Sequence, residues 1–514
     1  MDDSVAAAWG LLPHYLGEHV LLSAAAMGLG LVLSLLLTVA AVRSARVRWP
    51  VLLFASVVQT IPSLALLALF YPLLVALSSL TDRLFGIGFS ALGFLPSLLA
   101  LTLYSMLPVI RNGVTGVLNL DPAVIQAARG VGMTDWQRLT RVELPLAAPM
   151  LMAGVRTAAV WVIGAATLST PVGQTSLGNY IFSGLQIQDW VSVLFGCVAA
   201  AALALIVDQL LGLIESGVAT RRPARIAIGT LALAAGIAAA ALPRSDADAH
   251  YVIGAKSFSE QYILSALMAE RIEKEGGSAT QRVGLGSVIA FEALAADDID
   301  AYVDYSGTIW ANVMRRTDVP PREAVIAQMR EWLAHEHGIL LLGTLGFENA
   351  YALAMRRDRA DEMRIRSIRD LAAHARSLTM GADFEFFARP EWPALRDAYG
   401  LDFAARREFQ STFMYQAIAS GEVDVITAFS SDGRIATNNL VVLDDPEGAI
   451  LPYDAIVLVA AGRANDPLLR RALQPLVGAI PVELMREANY RVDRDTDKES
   501  PLAAARWLAE RALP

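Results

Sequence analysis

The sequence has one cysteine in 514 residues, Cys197, and it lies inside a long apolar run. One thiol cannot form an internal disulfide, so any exported part of the chain must fold without one. Also missing are a Gly-x-x-x-x-Gly-Lys-[Ser/Thr] phosphate-binding loop, a Cys/His cluster with zinc spacing and a Gly-x-Ser-x-Gly nucleophile elbow. We therefore expect no catalytic residues, no bound metal and no cofactor in this chain.

Lysine is absent from the first 243 residues, where 12 Arg and 10 Asp and Glu give a net charge of +2. The remaining residues carry 30 Lys and Arg and 41 Asp and Glu, a net charge of −11. Near residue 245 long apolar runs also give way to an ordinary charged sequence, so we expect a membrane part followed by a water-facing part. The acidic second part argues against nucleic acid as a partner, because proteins bind the phosphate backbone through many Lys and Arg side chains.

Six apolar runs are long enough to cross a bilayer as helices, since a hydrocarbon core needs about 20 apolar residues. The acidic start and the length of the first run do not fit a cleaved signal peptide. The six runs lie at roughly 19–42, 51–80, 90–110, 147–169, 190–216 and 226–243.

Arginine clusters follow the first, third and fifth runs, whereas the loops on the other side hold Arg83. Because basic loops stay in the cytoplasm, this pattern predicts an outside N-terminus and a second part that also lies outside. We expect a multi-pass protein of the cell (inner or plasma) membrane with residues 250–514 extracytoplasmic. The clustered residues are Arg43, Arg46, Arg48, Arg111, Arg129, Arg138, Arg141, Arg221, Arg222 and Arg225.

The loop between the third and fourth runs carries a helix signal. Asp121 before Pro122 combines an N-cap acceptor with proline at the first helical turn. Ala127, Ala128 and Gly132 are small and fall close together on one helical face, which would let another protein approach closely. From the spacing alone, the same face could equally pack against the protein's own helices.

This loop resembles the EAA loop of ABC-importer permeases, although Gln126 stands where that family usually has Glu. Residues 59–66 (QTIPSLAL) are similar to permeases of the osmoprotectant branch. The resemblance covers 15–220 and implies an all-α, MetI-like permease domain at 1–225, whose coupling loop at 120–146 docks on a cytoplasmic ABC ATPase. The residues that carry the loop match are Gln126, Ala127, Ala128, Gly132, Val142, Glu143, Leu144 and Pro145. An additional transmembrane helix and a linker then occupy 226–249.

From Tyr251 onward, after a small polar linker at 244–250, short apolar runs alternate with amphipathic helices. A helix is predicted from Ser259 to about Glu275. Strands that alternate with helices predict an α/β architecture with largely parallel sheets. The predicted strands are 251–254, 281–285, 339–342, 351–355, 378–380, 423–428 and 455–460.

Several stretches of this second part resemble the two-lobed substrate-binding proteins of osmoprotectant importers. The resemblance implies a type II periplasmic-binding-protein-like domain at 250–514, with ligand in the cleft between two lobes. Lobe I would comprise 250–345 and 455–514, lobe II would comprise 350–450, and the chain would cross near Glu348 and near Pro452. The matching stretches are 253–261, 300–310, 346–353, 428–434 and 451–454.

A quaternary ammonium cannot donate a hydrogen bond, and it is attracted instead to aromatic ring faces, each worth about 0.5–2 kcal/mol. The candidate rings, all in matching stretches, are Tyr305, Tyr351, Phe429 and Tyr453. Any one such ring is more often a core residue, and Phe429 stands where many glycine betaine binders have Tyr. A betaine carboxylate needs fixed donors, for which the candidates are Lys256, Thr308 and Arg389, although Arg389 could instead form a surface ion pair.

Glu348 stands beside Asn349, where many relatives have a neutral amide, and both are candidate binding residues. A carboxylate there could bind an imidazole N–H, a hydroxyl or a second positive charge, which keeps carnitine and ergothioneine open as ligands. Glu348 could equally be a hinge residue that hydrogen-bonds its own backbone.

The resemblance therefore implies an ABC importer subunit that fuses a permease with a tethered substrate-binding protein for glycine betaine, choline or carnitine. It would act as a homodimer with two separate ATPase subunits that use the ATP. One alternative is an importer of ergothioneine or another zwitterion. An alternative of another class is a ligand-sensing membrane receptor, but a sensor would need a signalling domain inside, and a membrane-anchored enzyme would need a catalytic constellation.

Overall fold

The structure is a computed structural model that describes residues 3–513 apart from 87–88, 90–92, 187–188, 243–250, 317, 319, 385, 390 and 495. Its contacts divide the chain into two compact units. One unit contains Met1–Ile181 and Val191–Ser245, and the other contains Phe182–Trp190 and Asp246–Pro514. The predicted linker 244–250 lies outside the described residues.

The first unit consists of helices joined by loops in its described part, and six helical segments there are long and apolar enough to cross a bilayer. These segments confirm the prediction of six membrane-crossing runs. The helices are α1 (Asp3–Arg43), α2 (Ala45–Thr60), α3 (Ser63–Phe85), α4 (Phe94–Leu118), α5 (Pro122–Gly130), α6 (Asp135–Arg138), α7 (Leu144–Ala166), α8 (Gly178–Gln186), α9 (Trp190–Ala219) and α10 (Pro223–Ala241).

The second predicted run, 51–80, is wrong as a single span, because the chain breaks it into α2 and α3. Ile61 adopts an extended conformation, with φ −73° and ψ 127°, at the residue before Pro62. A residue before proline is disfavoured in the helical region by a clash with the proline ring. The helix of membrane length is therefore α3, Ser63–Phe85.

Helix α4 forms the centre of the helical unit, and small residues let its neighbours approach closely. A methyl group on Gly113 would come within 2.9 Å of Thr38 on α1, and one on Gly154 of α7 would come within 2.7 Å of the Pro108 carbonyl oxygen. In lipid, helices associate through such close packing because the solvent offers no hydrophobic driving force. Accordingly, 67% of the residues in the most apolar stretch of α4 are buried.

The second unit alternates strands with helices. Its strands are β1 (Tyr251–Lys256), β2 (Ala279–Leu285), β3 (Ala301–Tyr305), β4 (Leu340–Glu348), β5 (Tyr351–Arg356), β6 (Thr379–Asp383), β7 (Ala405–Phe409), β8 (Val425–Phe429), β9 (Leu440–Val442) and β10 (Asp454–Val459). Its helices are α11 (Ser259–Lys274), α12 (Ser287–Ala295), α13 (Ser306–Thr308), α14 (Arg322–His337), α15 (Arg357–Met363), α16 (Ile368–His374), α17 (Glu391–Tyr399), α18 (Ser411–Ala419), α19 (Arg434–Thr437), α20 (Pro467–Leu473), α21 (Val482–Asp493) and α22 (Pro501–Ala512).

The strands form two five-stranded sheets, with the orders β2-β1-β3-β10-β4 and β7-β6-β8-β5-β9. The chain passes from the first sheet to the second between Glu348 and Tyr351 and returns between Val442 and Asp454. An all-α membrane part followed by an α/β part confirms the predicted fold class.

The prediction of largely parallel sheets is confirmed for four of the five strands in each sheet, and the fifth strand makes each sheet mixed. Strand β10 runs antiparallel to β3 and β4, and β5 runs antiparallel to β8 and β9. Strands β5 and β10 are the first strands after each crossover. Each of them runs antiparallel to the strands on both sides of it.

Three strands were not among those predicted. Strand β7 (Ala-Arg-Arg-Glu-Phe) is an exposed edge strand with no apolar run, and β9 has three residues. Strand β3 lies within the 300–310 stretch and is completely buried, so it carries no alternation of apolar and polar residues to mark it.

Candidate functional site

A cavity of about 250 Å³ in the second unit is lined by residues from both sheets. Many of these residues stand at strand ends: Lys256 ends β1, Tyr305 ends β3, Tyr351 begins β5 and Phe429 ends β8. Because the chain crosses between the sheets beside these ends, side chains that are far apart in the sequence meet there.

The four aromatic residues predicted from the sequence, Tyr305, Tyr351, Phe429 and Tyr453, all line this cavity. Tyr351 and Phe429 are register partners on β5 and β8, with ring centroids 4.9 Å apart. The Tyr453 ring lies 5.9 Å from that of Tyr351 at an interplanar angle of 84°. The structure therefore brings the predicted rings together around one space.

A fifth ring, Phe258, was missed by the sequence reasoning. Its centroid lies 6.1 Å from that of Tyr305 and 6.5 Å from that of Phe429, with the Phe258 and Phe429 planes within 7° of parallel. Phe258 is the residue before α11, inside the matching stretch 253–261. Its position two residues after Lys256 was the signal that could have identified it.

Arg389 is buried and fixed at the cavity wall by several partners. Its Nη2 atom donates a hydrogen bond of 2.8 Å to the Tyr453 hydroxyl, and its Nε atom lies 3.2 Å from a Glu391 carboxylate oxygen. Its Cζ atom lies 5.2 Å from the Tyr351 ring centroid. The Tyr453 hydroxyl itself donates to Glu391. The alternative of a surface ion pair for Arg389 is wrong, because both members of its pair are buried.

Lys256 also lines the cavity, but its ammonium group is paired with the fully buried Asp304. Its Nζ atom lies 5.3 Å from the Tyr305 ring centroid. Thr308 lines the same cavity from α13. The Asn349 side chain lines it from the first crossover and donates to Glu260 over 3.1 Å.

Glu348 does not line the cavity, unlike the other candidate binding residues. It pairs with Arg322, and its side chain is 36% exposed. Glu348 follows the buried Phe347 on β4, and successive side chains of a strand point to opposite faces. The structure therefore separates Glu348 from the site.

Glu260 is a buried acid of the cavity wall that the sequence reasoning missed. Its carboxylate accepts hydrogen bonds from four side chains, and burial raises its pKa above the ordinary value. The donors are the hydroxyls of Ser431 (2.5 Å) and Tyr305 (2.6 Å) and the amides of Asn489 (2.9 Å) and Asn349 (3.1 Å). Burial likewise places the pKa of the Tyr305 phenol well above its ordinary value.

A second buried cluster, also missed, surrounds Arg434. Its Nη2 atom lies 2.7 Å from Asp432, and its Cζ atom lies 4.4 Å from the Tyr415 ring centroid. Asp493 faces this pair, and Ser259 donates to Asp493 over 2.5 Å. Burial raises the pKa of Asp493 to about 6.

The candidate ATPase-coupling residues lie in the helical unit. Asp121 caps α5 by accepting from the Ala123 backbone N–H over 2.8 Å, as its sequence predicted. Gly132, with φ +79°, ends that helical segment in the left-handed region. Gln126, Ala127 and Pro145 are exposed, Leu144 is half-buried and Ala128 is buried.

This loop also exposes apolar side chains that the sequence reasoning did not single out. Val131 is 74% exposed and Trp136 is 62% exposed. Arg43 places its guanidinium 5.6 Å from the Trp136 ring centroid. The loop therefore presents exposed apolar side chains to its surroundings.

The cavity offers ring faces, buried donors and buried acids, and its chemistry is that of recognition. Within the described residues, no group of three or more His, Cys, Asp and Glu is arranged to hold a metal ion. Membrane-length helices joined on one polypeptide to a two-sheet receptor define the class of binding-protein-dependent import subunits.

Two family models match the chain. Residues 249–510 match the substrate binding domain of the ABC-type glycine betaine transport system. Residues 30–220 match the binding-protein-dependent transport system inner membrane component. The chain belongs to the first of these families through its second unit, and it carries the permease component of the second on the same polypeptide.

Individual proteins are similar to the whole chain or to one part of it. The ergothioneine transport permease/ergothioneine binding protein EgtU of Helicobacter pylori (strain G27) is 28% identical over 500 residues, which cover 94% of this chain and 87% of that protein. The glycine betaine/carnitine/choline transport system permease protein OpuCB of Bacillus subtilis (strain 168) is 37% identical over 206 residues, 40% of this chain and 88% of that protein. A crystal structure of a glycine betaine/carnitine/choline ABC transporter is 26% identical and covers 51% of this chain and 97% of its own, with a TM-score of 0.46.

Proposed function

We propose that this chain is the combined permease and receptor of an importer for small quaternary-ammonium compounds of the glycine betaine, choline and carnitine type. Residues 1–225 form the permease, 226–249 form an extra membrane helix and linker, and 250–514 form an extracytoplasmic receptor. The lobes of the receptor are 250–345 with 455–514, and 350–450.

The observation that carries this proposal is the convergence of Tyr305, Tyr351, Phe429 and Tyr453 on one cavity. A trimethylammonium group has no N–H to donate, so ring faces and nearby negative charge are what bind it. Each ring contributes about 0.5–2 kcal/mol, and more when the site excludes water. Three of the four rings, those of Tyr305, Tyr351 and Tyr453, are less than 7% exposed.

The carboxylate of a betaine would bind to positively charged and hydrogen-bond-donating side chains of the same cavity. Arg389 presents a planar guanidinium that can hold a carboxylate with two hydrogen bonds, and its partners fix the guanidinium before ligand arrives. Lys256, Thr308 and Asn349 supply further donors on the first-sheet and crossover side. A zwitterion would then lie with its cationic end among the rings and its anionic end toward Arg389.

Energy for transport would come from two cytoplasmic ABC ATPase subunits that grip the 120–146 loops of two copies of this chain. The exposed Val131 and Trp136 and the exposed Gln126 and Ala127 provide a contact face for that partner. The tether gives the receptor a high effective concentration at its own permease, and for short linkers this concentration is on the order of millimolar.

A second cargo, ergothioneine, is favoured by one observation. A relative that aligns with 94% of this chain is the ergothioneine transport permease/ergothioneine binding protein of Helicobacter pylori. Ergothioneine carries the same trimethylammonium and carboxylate groups, so the same cavity would recognise it.

Isothermal titration calorimetry on the purified full-length chain in lipid nanodiscs tests both proposals. Glycine betaine, choline, carnitine and ergothioneine are titrated separately, with dimethylglycine as the matched ligand in which an N–H replaces one N-methyl group of glycine betaine. We expect micromolar or tighter binding of at least one of the four and weaker binding of dimethylglycine. Absence of binding for all four would overturn the proposed function.

A further inference from the structure

The basic side chains that line the cavity each have a carboxylate partner within the described residues. Four carboxylates line the cavity against three basic groups, and Asp304 and Glu391 add two more acids directly behind them. A ligand cation therefore enters a space whose own positive charges are already compensated. The three pairs are Lys256–Asp304, Arg389–Glu391 and Arg434–Asp432.

Glu260 differs from the acids of those pairs, because its four side-chain partners are all neutral. The two hydroxyls and two amides come from different segments: Tyr305 at the end of β3, Asn349 in the first crossover, Ser431 after β8 and Asn489 on α21. No basic side chain of the described residues forms an ion pair with Glu260. Its carboxyl group is thus buried at the cavity wall with four hydrogen bonds and with no basic partner among the described residues.

Burial raises the pKa of Glu260, whereas its four hydrogen-bond donors act in the opposite direction and favour the ionised form. The Gln261 amide donates to the Tyr305 phenolic oxygen over 3.0 Å, so the phenolic hydrogen is left to point at Glu260. The side-chain N–H groups of Asn349 and Asn489 can act as donors only. Donors directed at both oxygens stabilise a carboxylate over a carboxylic acid.

We propose that Glu260 is the fixed negative charge that selects a cationic head group in this cavity, and that it acts largely through the ring of Tyr305. The inference rests on the proposed function, since it concerns the same cavity. A phenol that donates to a carboxylate gains electron density, and an electron-rich ring face attracts a cation more strongly. The carboxylate charge itself is poorly screened because water is excluded around it.

A purely structural role is the competing explanation. Glu260 joins four segments of the receptor, so its loss could loosen the cavity for every ligand alike. The two explanations differ in one respect: a charge effect acts on a cationic head group and is absent for a head group of the same shape without the positive charge. 3,3-Dimethylbutanoate has such a head group, because it keeps the carboxylate of glycine betaine and replaces the quaternary nitrogen by carbon.

The experiment compares the wild-type chain and Glu260→Gln in lipid nanodiscs with both ligands, using ligand-observed NMR because it reads weak binding. We expect Glu260→Gln to weaken glycine betaine at least tenfold and not to weaken the isostere, which has no cationic head group. Ser431→Ala is the matched control, because it removes one neutral donor from the same carboxylate and keeps the charge. We expect it to affect both ligands equally.

Equal losses for the two ligands in Glu260→Gln, or no loss for either, would overturn the inference while leaving the proposed function standing. If the wild type bound neither ligand nor any other quaternary ammonium, both would fall. If Glu260→Gln does not fold, Tyr305→Phe replaces it, because it keeps the ring and the charge and breaks the link between them. A loss confined to glycine betaine in that variant supports the inference, and equal losses contradict it.

Discussion

Glu348 and Asp454 are register partners on the antiparallel strands β4 and β10, and Arg322 reaches both carboxylates. The Arg322 Nε atom lies 3.3 Å from Asp454. This acidic pair stands where the chain leaves the first sheet and where it returns. Glu348, which was predicted from the sequence as a ligand-binding carboxylate, is therefore part of an ion pair with Arg322 at the crossover between the sheets.

We expect Glu348→Gln to leave ligand affinity unchanged to within about twofold, because the side chain is directed away from the cavity and an exposed ion pair is worth about 0–1 kcal/mol. Calorimetry on the full-length variant in nanodiscs checks this. A tenfold weakening would mean that Glu348 reaches the ligand after all.

Removal of single cage rings should be far more costly. Tyr305→Ala and Tyr453→Ala are each expected to weaken binding of a quaternary ammonium by about tenfold or more, since a desolvated ring contributes up to about 2 kcal/mol. Trp332→Ala removes a ring outside the cavity lining and serves as the control, with a change below about twofold expected. Comparable losses in all three variants would argue against an aromatic cage.

Asp493→Asn should change the pH dependence of stability. Because burial raises the pKa of Asp493 from 3.8 to about 6, the folded protein binds this proton more tightly than the unfolded chain does. The group's stabilising contribution is thus fully present below its unfolded pKa of about 4 and is lost as pH rises through about 6. The uncharged variant should therefore unfold about 2–4 °C above the wild type at pH 7 and lose that advantage between about pH 6 and pH 4.

Thermal unfolding of the full-length chain in detergent, followed across pH 4–8, measures this difference. Asp402→Asn is the control, because its side chain is 71% exposed and pairs with the exposed Arg376. An Asp493→Asn variant that is less stable than the wild type at pH 7 would contradict the prediction.

Gly132 should be sensitive to substitution because of both its backbone and its position. Its φ of +79° is strained for residues with a side chain, and Asn tolerates that region better than Glu. We expect Gly132→Glu to abolish ligand-driven uptake in cells while receptor affinity stays unchanged, and Gly132→Asn to keep most of the uptake. Intact uptake in Gly132→Glu would refute the assignment of 120–146 as the ATPase-coupling loop.

A charged group inside the helical unit gives a further test. Arg156 on α7 donates to Asp208 and Glu215 on α9 over 2.8–2.9 Å, and Gly212 between them leaves room for the guanidinium. Arg156→Ala leaves two carboxylates without their cation among membrane helices, which is costlier than removing all three charges. The triple alanine variant should therefore unfold at a higher temperature in detergent than Arg156→Ala alone, and the reverse order would contradict this account.

Much of the site was predictable because its residues lie in short stretches that mark the family. Tyr305, Tyr351, Phe429, Tyr453, Lys256, Thr308, Asn349 and Arg389 were all named from the sequence, and all line one cavity. Phe258 and Glu260 lie in one of the same stretches but were passed over. An aromatic residue before a helix and an acid in its first turn are ordinary features of soluble proteins, and contacts with distant segments alone distinguish these two.

Arg434 and Asp493 could not be paired from the sequence, because they are 59 positions apart and lie on α19 and α21. The break at Pro62 was visible as a proline, but the long apolar stretch around it outweighed that signal. Hydropathy measures length and polarity, and it does not register where a backbone N–H is missing.

The sequence by itself determined which part of the chain crosses the membrane. The length of an apolar run and the arginines beside it are properties of consecutive residues, and they decide insertion without contacts between distant segments. The sequence also determined which residue types could bind a cation. The tertiary structure decided that Glu348 lies outside the site and that Glu260 lies in it with neutral partners. Both outcomes depend on strand direction and on crossovers between two mixed sheets, and these follow from contacts between segments that are far apart along the chain.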